Sequence, residues 1–362
     1  MFNIRKQLSK LYLSSVLGNL SLTGAWVAIL AARGFTLVEI GIAETIFHIT
    51  SIIFELPSGV MADVFGRKKM LIVSTIMQIL GSIAMIASND LFMVCVAVAF
   101  HALCYNFSSG TGDALAYDSM KKARIQSKFE KYESNQLVIY RVCSGISTLC
   151  AGLALAIGYR LAYGTELITC MIQLYVISTL SEVNSKGLSH SESTMQKIFS
   201  CVRESISFLK QARKALELML CNSFVGAVDI LLLFFLQAKL PEKGIPQWGL
   251  GLALLFMELG GVVGSRLILK FPRVSYKVIF MVTTALVLTG VGIEHSASFI
   301  IAALGGFISA VGDDALQVRT NAKLQKMFPS EQRATLTSVE SFSFSIIMIV
   351  LSPLAGFVFT YW

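Results

Sequence analysis

Long apolar runs separated by short polar stretches dominate the pattern of this chain. A helix needs about 20 apolar residues to cross a bilayer. The pattern predicts eleven transmembrane helices, at residues 9–31, 36–62, 69–88, 91–118, 136–158, 164–183, 214–237, 248–270, 276–294, 297–320 and 333–358. A polar stretch at 184–213 follows the sixth run. It predicts a linker between an N-terminal six-helix half, 1–183, and a C-terminal half of five helices, 214–362.

The predicted linker contains an amphipathic pattern of its own. Ile198, Val202, Ile206 and Leu209 recur at helical spacing among Ser and Lys residues. A helix with such a narrow apolar face is typical of a segment that lies along a membrane surface. We therefore expect the linker to be cytoplasmic and partly attached to the membrane.

Composition supports an all-α polytopic membrane protein. Hydrophobic residues make up 55% of the chain and charged residues 14%, and the mean hydropathy is +0.69. A soluble domain does not keep such a surface in water. The N-terminal apolar run is long enough to span a bilayer and lacks a clear cleavage site, so we interpret it as the first helix rather than a signal peptide.

The distribution of basic residues predicts the orientation. The net charge is +8, and all but five of the 30 Lys and Arg residues fall at the N-terminus or in loops on one predicted side. The exceptions are Arg33, Arg160, Lys239 and Lys243, in loops on the other side, and Arg141, within a helix. By the positive-inside rule, the N-terminus is cytoplasmic in a multi-pass protein of the plasma or inner membrane. The basic groups then meet anionic lipid headgroups, and no nucleic-acid partner is needed.

One polar stretch between the second and third runs has an unusual pattern. It reads Gly59-Val-Met-Ala-Asp63-Val-Phe-Gly66-Arg67-Lys68-Lys69. So short a connection predicts a tight turn, in which Gly59 and Gly66 allow close approach and an unusual φ. Asp63 is expected to cap a helix end or to pair with a basic group. The basic cluster is expected to hold the turn at the cytoplasmic surface. The alternative is a generic positive turn that only fixes topology.

The spacing of Gly, Asp, Gly and the basic cluster resembles the signature loop between helices two and three of the major facilitator superfamily. The resemblance implies two parallel six-helix repeats and a loop that latches the two halves and gates the cytoplasmic side. It also implies a secondary transporter of small molecules, driven by a gradient and in contact with membrane lipid.

An internal repeat agrees with that implied fold. The segment Gly112-Asp113-Ala-Leu recurs as Gly312-Asp313-Asp314-Ala-Leu, and Ala151-Gly152 recurs as Ala355-Gly356, at a nearly constant offset of about 200 residues. In that register, the partner of the sixth helix falls beyond Trp362, so we expect the twelfth helix to be absent. Two interpretations remain open: the chain is truncated, or it is a compact variant that functions without the twelfth helix.

The segment from Ser109 to Lys121 resembles the end of helix four in bacterial drug-exporter-like members, where an acid pairs with the loop arginine. That resemblance implies a charge relay of Asp63, Arg67 and Asp118 that holds the inside closed. The gating set predicted from the loop and the relay is Gly59, Asp63, Gly66, Arg67, Lys68 and Asp118. The competing interpretation is a set of solvated charges, each contributing little.

Ionisable groups inside a membrane are expensive, so each one within a predicted helix is a candidate for proton coupling. Glu44 and His48 lie four residues apart, on one helical face. The alternative is that Glu44 and His48 form a hydrogen-bonded polar pair that faces a neighbouring helix and has no role in proton coupling. We expect Asp113, Arg141, Asp314 and Glu340 to form a buried network, with Asp113 and Asp314 related by the repeat. The remaining candidates, near mid-membrane in the second half, are Asp229 and Glu258.

Polar and aromatic side chains on the inner helices are candidates for a substrate cavity. They are Asn19, Trp26, His101, Tyr105, Asn106, Tyr140, Asn222 and Phe235. An aromatic pocket with few fixed charges favours bulky amphiphilic or cationic molecules over sugars. Ordinary helix packing is the alternative for most of these residues.

The resemblance and the residues together predict proton-coupled efflux of small amphiphilic or cationic compounds by a monomer. The fifth helix departs from the antiporter pattern, because Ser144 to Gly152 keeps its glycines but contains no proline. Proton-coupled uptake and a transport-inactive membrane protein therefore remain alternatives. The chain has no phosphate-binding loop, zinc-protease motif or nucleophile elbow, and its seven cysteines lack metal-ligand spacing. We therefore do not expect the protein to be an enzyme or to bind a metal or a cofactor.

Overall fold

The computed structural model describes residues 3–183, 203, 213–294, 296, 298–327 and 333–361. Regular structure within these ranges is helical, with α1 Ile4–Asn19, α2 Trp26–Ala32, α3 Leu37–Phe65, α4 Arg67–Ala87, α5 Leu91–Ser108, α6 Thr111–Lys122, α7 Phe129–Leu149, α8 Ala151–Ile157, α9 Tyr159–Ser178, α10 Arg213–Glu242, α11 Gln247–Leu267, α12 Tyr276–Glu294, α13 Phe299–Met327 and α14 Arg333–Tyr361. Short 3-10 helices lie at Leu22–Ala25, Gln126–Lys128 and Ile268–Lys270. The amphipathic segment predicted at 198–209 lies outside the described residues.

The helices reproduce the predicted spans. Ten of them, with the broken pairs α1–α2 and α5–α6 each counted as one, are long and apolar enough to cross a membrane. The pair α7–α8, bent by 48°, raises the number to eleven within the described ranges if it is counted as one span. The all-α, multi-span prediction is confirmed.

Side-chain exposure agrees with a lipid environment. On α9, Leu161, Ile168, Met171 and Tyr175 follow one helical face, and Tyr175 is 72% exposed. Such a continuous apolar face is unfavourable in water but well solvated by lipid tails. The hydrophobic effect therefore does not select which helix faces are buried, and small or polar contacts do so instead.

Local signals explain where several helices begin. Thr36 and Glu39 form a capping box before α3, in which the Thr36 amide donates to the Glu39 carboxylate over 2.8 Å. The Asp90 side chain accepts from the amide of Met93 at the start of α5 over 2.9 Å. These caps satisfy amide groups that the first helical turn leaves without partners.

The chain divides into two compact units. Unit 1 comprises Met1–Gly24, Ile46–Ser147 and Ile157–Arg203. One of its buried clusters includes Leu11 of α1, Leu115 of α6, Tyr132 of α7 and Ile177 of α9. Helices far apart in sequence therefore share this core.

Unit 2 comprises Ala25–Thr45, Thr148–Ala156 and Glu204–Trp362. Its core brings Ala28 of α2 and Ala151 of α8 together with Leu236 of α10 and Leu254 of α11. Two short segments of the predicted N-terminal half thus pack with later helices. The predicted boundary at 184–213 lies almost entirely outside the described residues and stays a prediction.

A lysine ties one turn of unit 2 to a neighbouring helix. Lys243, between α10 and α11, donates to the carbonyl oxygen of Glu294 and, over 2.6 Å, to that of Ser296. Burial lowers the pKa of this ammonium group. The contact satisfies carbonyl groups at the end of α12.

Candidate functional site

The turn predicted between the second and third spans is a single residue, Gly66. Helix α3 continues through Pro57 to Phe65, and α4 begins at Arg67. Gly66 has φ +102°, a conformation that residues with a Cβ rarely adopt. The expectation of close approach and an unusual φ is wrong for Gly59, which lies inside α3 with open space around its Cα.

Glu182, which the sequence analysis missed, closes this turn. Its carboxylate accepts a hydrogen bond of 3.0 Å from the backbone amide of Lys68, in the first turn of α4. A Cβ at residue 66 would lie 2.9 Å from the same carboxylate. An acidic group at a helix N-terminus is favourable because the free amides and the helix dipole attract negative charge. In the sequence, Glu182 appeared only as the end of the sixth span.

The predicted partners Arg67 and Asp118 are in contact. The Arg67 guanidinium on α4 donates to the Asp118 carboxylate on α6, and it also donates over 2.6 Å to the carbonyl of Ala114. The two side chains are 18% and 10% exposed. The Asp63 side chain lies outside the described part of the chain, so the third member of the predicted relay stays a prediction.

Unit 1 contains a polar cavity of about 310 Å³, which we call the unit 1 cavity. It is lined by α1, α4, α5, α6, α7 and α9. Its hydroxyl and amide groups include those of Ser15, Asn19, Ser21, Gln78, Gln136 and Gln173. Asp113 and Glu166 also line it, and among the described residues that line it there is no Lys or Arg. The lining therefore carries acidic groups without basic ones.

Glu166 is the most deeply buried of these acids, at 6% exposure. One carboxylate oxygen accepts from the Thr23 hydroxyl over 2.7 Å, and the other accepts from the Gln78 amide. Sequence reasoning missed Glu166 because it stands only two residues into the span predicted at 164–183, where a charge is typical of a helix end. The structure begins this helix at Tyr159, which places Glu166 two turns inside.

Three aspartates meet in unit 2. Asp229 on α10 and Asp313 and Asp314 on α13 are near enough for their charges to interact. The Asp313 carboxylate would lie 3.2 Å from a Cβ on Gly226 of α10. Asp229 and Asp314 were predicted candidates, whereas Asp313 was missed as a site residue. In the described part of the chain, no group of three His, Cys, Asp or Glu side chains has an arrangement suited to a metal ion.

Two further predicted acids, Glu258 and Glu340, lie on α11 and α14 of unit 2. Glu258 on α11 accepts a hydrogen bond of 2.9 Å from the Thr148 hydroxyl. Glu340, in α14, is half-buried. Glu258 therefore has a neutral donor as a partner rather than a basic residue.

The other ionisable residues predicted for proton coupling, Glu44, His48, Asp113 and Arg141, differ in how deeply they are buried. Glu44 and His48 are both buried, at 9% and 5% exposure. Asp113 lines the unit 1 cavity. Arg141 is exposed, with its guanidinium carbon 5.9 Å from the ring centre of Tyr140. The expected buried network of Asp113, Arg141, Asp314 and Glu340 is therefore wrong for Arg141, since an exposed guanidinium can remain solvated.

The predicted cavity residues are divided between the two units. Asn19 lines the unit 1 cavity, but His101 packs on Tyr163 with ring centres 6.3 Å apart. Asn106 is buried and bonded to Ser51. Asn222 and Phe235 are also buried, whereas Tyr105 and Tyr140 are about half exposed. Trp26 packs edge-on against Phe234. Helix packing accounts for several of these side chains.

Comparisons with known proteins agree with this architecture. The model of the Major Facilitator Superfamily matches residues 11–353. The MFS-type transporter YxaM of Bacillus subtilis (strain 168) is 22% identical over 324 residues, which cover 87% of this chain and 79% of YxaM.

Two solved structures share the fold. The nucleoside transporter NupG superposes with a TM-score of 0.68 at 15% identity, covering 100% of this chain and 92% of NupG. A D-xylose-proton symporter superposes with a TM-score of 0.70 at 11% identity, covering 97% and 89%. At such identities the likeness shows the fold and not the substrate. Together with the family match over most of its length, these findings show that this multi-pass membrane chain belongs to the Major Facilitator Superfamily, a family of transporters rather than enzymes.

Proposed function

We propose that this protein is a secondary active transporter that exports small amphiphilic or cationic compounds in exchange for protons by alternating access. The Arg67–Asp118 ion pair is the observation that supports it best. The pair joins the turn at Gly66 to α6, and both side chains are largely removed from water. Such a pair is stable while both partners are in place, and separating them leaves poorly solvated charges. It is suited to hold one side of the transporter closed.

Close backbone packing within unit 2 supports a second gate. A Cβ on Gly41 of α3 would overlap the carbonyl of Ser352 on α14, and a Cβ on Gly152 of α8 would overlap the carbonyl of Gln247 on α11. Glycines at these positions let the helix backbones approach each other closely, as is typical of contacts between transmembrane helices. We assign these contacts to the outer side, because Arg33 and Lys243 lie in loops predicted to be outside.

The unit 1 cavity supports the substrate class. Its volume lies at the small end of the range of ligand sites, which is roughly 300–1,000 Å³. Acidic groups without basic partners favour a cation, since a ligand of opposite charge compensates the cost of their burial. We further propose a monomer in the cell membrane, with a cytoplasmic N-terminus, lipid at its surface and a proton gradient as the driving force.

Proton-coupled uptake is the second candidate. The hydroxyl and amide lining of the unit 1 cavity also suits hydrophilic solutes that accept several hydrogen bonds, which favours this alternative. The solved relatives with similar folds are a nucleoside transporter and a D-xylose-proton symporter.

Accumulation of a fluorescent cationic dye in cells tests the proposal. Cells that produce the 362-residue chain should accumulate less dye than cells with empty vector, and a protonophore should abolish the difference. Dye accumulation that rises with the protein, and falls with the protonophore, would instead support uptake. Equal accumulation, with the protein confirmed in the membrane, would contradict export of this class of compound.

A further inference from the structure

The first span is interrupted beside Glu166. Helix α1 ends at Asn19, Leu20 is extended, and a 3-10 turn at Leu22–Ala25 precedes α2. Such a break frees backbone groups that must find other partners inside a membrane. Ser147 of α7 is such a partner. Its hydroxyl accepts from the Ser21 amide over 3.0 Å and donates to the Asn19 carbonyl over 3.3 Å.

A chain of hydroxyl groups joins this break to Glu166. Ser21 and Thr23 are in hydrogen-bond contact at 2.5 Å, and either hydroxyl can be the donor. The Thr23 hydroxyl in turn bonds to a Glu166 carboxylate oxygen. Ser21 also lines the unit 1 cavity, so the chain runs from the cavity wall to the buried acid.

The partners of Glu166 leave its charge uncompensated. Both observed donors, the Thr23 hydroxyl and the Gln78 amide, are neutral. Within the described residues, no Lys or Arg forms an ion pair with it. A buried carboxylate without a cationic partner is costly. A proton from water in the cavity removes that cost and keeps the hydrogen bonds.

We propose that Glu166 is the proton-binding carboxylate of unit 1 and that its protonation reverses the Ser21–Thr23–Glu166 hydrogen bonds at the break in the first span. When ionised, Glu166 accepts from Thr23, and Thr23 accepts from Ser21. When protonated, Glu166 donates to Thr23, Thr23 donates to Ser21, and the Ser21 hydrogen turns to the cavity. Each heavy atom keeps its position while each hydroxyl reverses its direction.

The hydrogen-bond chain lies at the edge of unit 1. The first span leaves unit 1 directly after Gly24, and α7 leaves it directly after Ser147. The Ser21–Thr23–Glu166 hydrogen bonds, which reverse on protonation, therefore lie next to the point at which the first span leaves unit 1. The inference deepens the proposed function and rests on its proton coupling.

Other titratable groups near Glu166 are His101 and Cys104 on α5 and Cys170 on α9. Asp113 and Tyr132 line the same cavity. We assign the proton to Glu166 because it alone joins the hydroxyl chain at the break. His101 packs against Gly81 and Tyr163, and its Nε2 has no hydrogen-bond partner.

Infrared difference spectroscopy tests the assignment without transport. The purified full chain is reconstituted in vesicles, and spectra at acidic and neutral pH are subtracted. We expect a carboxylic-acid C=O band in the native protein and its loss in Glu166→Gln. The exposed Asp90→Asn is the matched control and should keep the band. Thr23→Val should keep the band at a shifted frequency, because one hydrogen bond is lost, and Thr23→Ser should restore it.

Transport measurements complete the test. Glu166→Gln should lose the protonophore-sensitive dye gradient, because no proton can be exchanged for the dye. His101→Gln should retain the gradient. An unchanged infrared band in Glu166→Gln, a band that responds to Na⁺ at constant pH, or loss of coupling only in His101→Gln would each overturn the assignment. If the native protein shows the band but expels no dye, the proposed function fails while Glu166 remains the proton site.

Discussion

The Arg67 guanidinium donates to the Asp118 carboxylate and to the carbonyl of Ala114, four residues earlier on α6. One cation thus holds a carboxylate and a backbone carbonyl on the same helical face. Because both bonds involve a charged donor, they are stronger than bonds between neutral groups. The arrangement restrains the turn at Gly66 against α6.

Arg67→Ala should abolish dye export and lower stability by about 2 kcal/mol, because Asp118 loses a charged partner in a largely buried position. Dye export in cells and thermal unfolding of the purified protein check both effects. The exchange Arg67→Asp with Asp118→Arg should regain part of the activity, since the opposite charges again face each other. Full export in Arg67→Ala would contradict the latch.

Gly66→Ala should destabilise the protein and reduce transport, because Ala is strained at φ +102° and its Cβ would crowd the Glu182 carboxylate. We expect a cost of about 1–2 kcal/mol. Gly59→Ala is the matched control: Gly59 is helical with open space around it, so this change should be neutral or stabilising. Thermal unfolding of both variants measures the difference. Equal stabilities would mean that the backbone conformation at residue 66 does not require glycine.

Gly152→Ala should weaken the packing of α8 on α11, because its Cβ would overlap the Gln247 carbonyl. The expected result is a lower unfolding temperature and slower dye export. Gly164→Ala, on α9 with open space around it, serves as the control and should stabilise its helix by up to about 1 kcal/mol. An unfolding temperature for Gly152→Ala as high as that of Gly164→Ala would rule out the close contact.

The Thr148–Glu258 bond is measurable by a double-mutant cycle. Thr148→Val and Glu258→Gln should each destabilise unit 2, and the double variant should lose less than the sum of the two. For a bond to a charged acceptor, we expect a coupling of about 1.5–3 kcal/mol. Chemical unfolding in detergent micelles gives the three differences. Additive effects would show that the two side chains do not interact.

Some parts of the site were readable from the sequence because they depend on neighbours along the chain. Gly66 and Arg67 stand in a short polar interval between two apolar runs, and the resemblance of a second segment, from Ser109 to Lys121, supplied Asp118 as the partner. Glu182 and Glu166 were not selected, because each stands near the end of a predicted span. Their partners, Lys68 for Glu182 and Thr23 and Gln78 for Glu166, lie on other helices.

By itself, the sequence determined that the chain crosses a membrane, roughly where its helices lie and which turn carries the basic cluster. These properties follow from run length, hydropathy and local turn chemistry. Only the tertiary structure decided which acids meet which donors, that residues 25–45 and 148–156 pack with the later helices, and that a polar cavity reaches Glu166. In a lipid environment apolar faces do not distinguish inside from outside, so the burial of each polar side chain depends on contacts between distant helices.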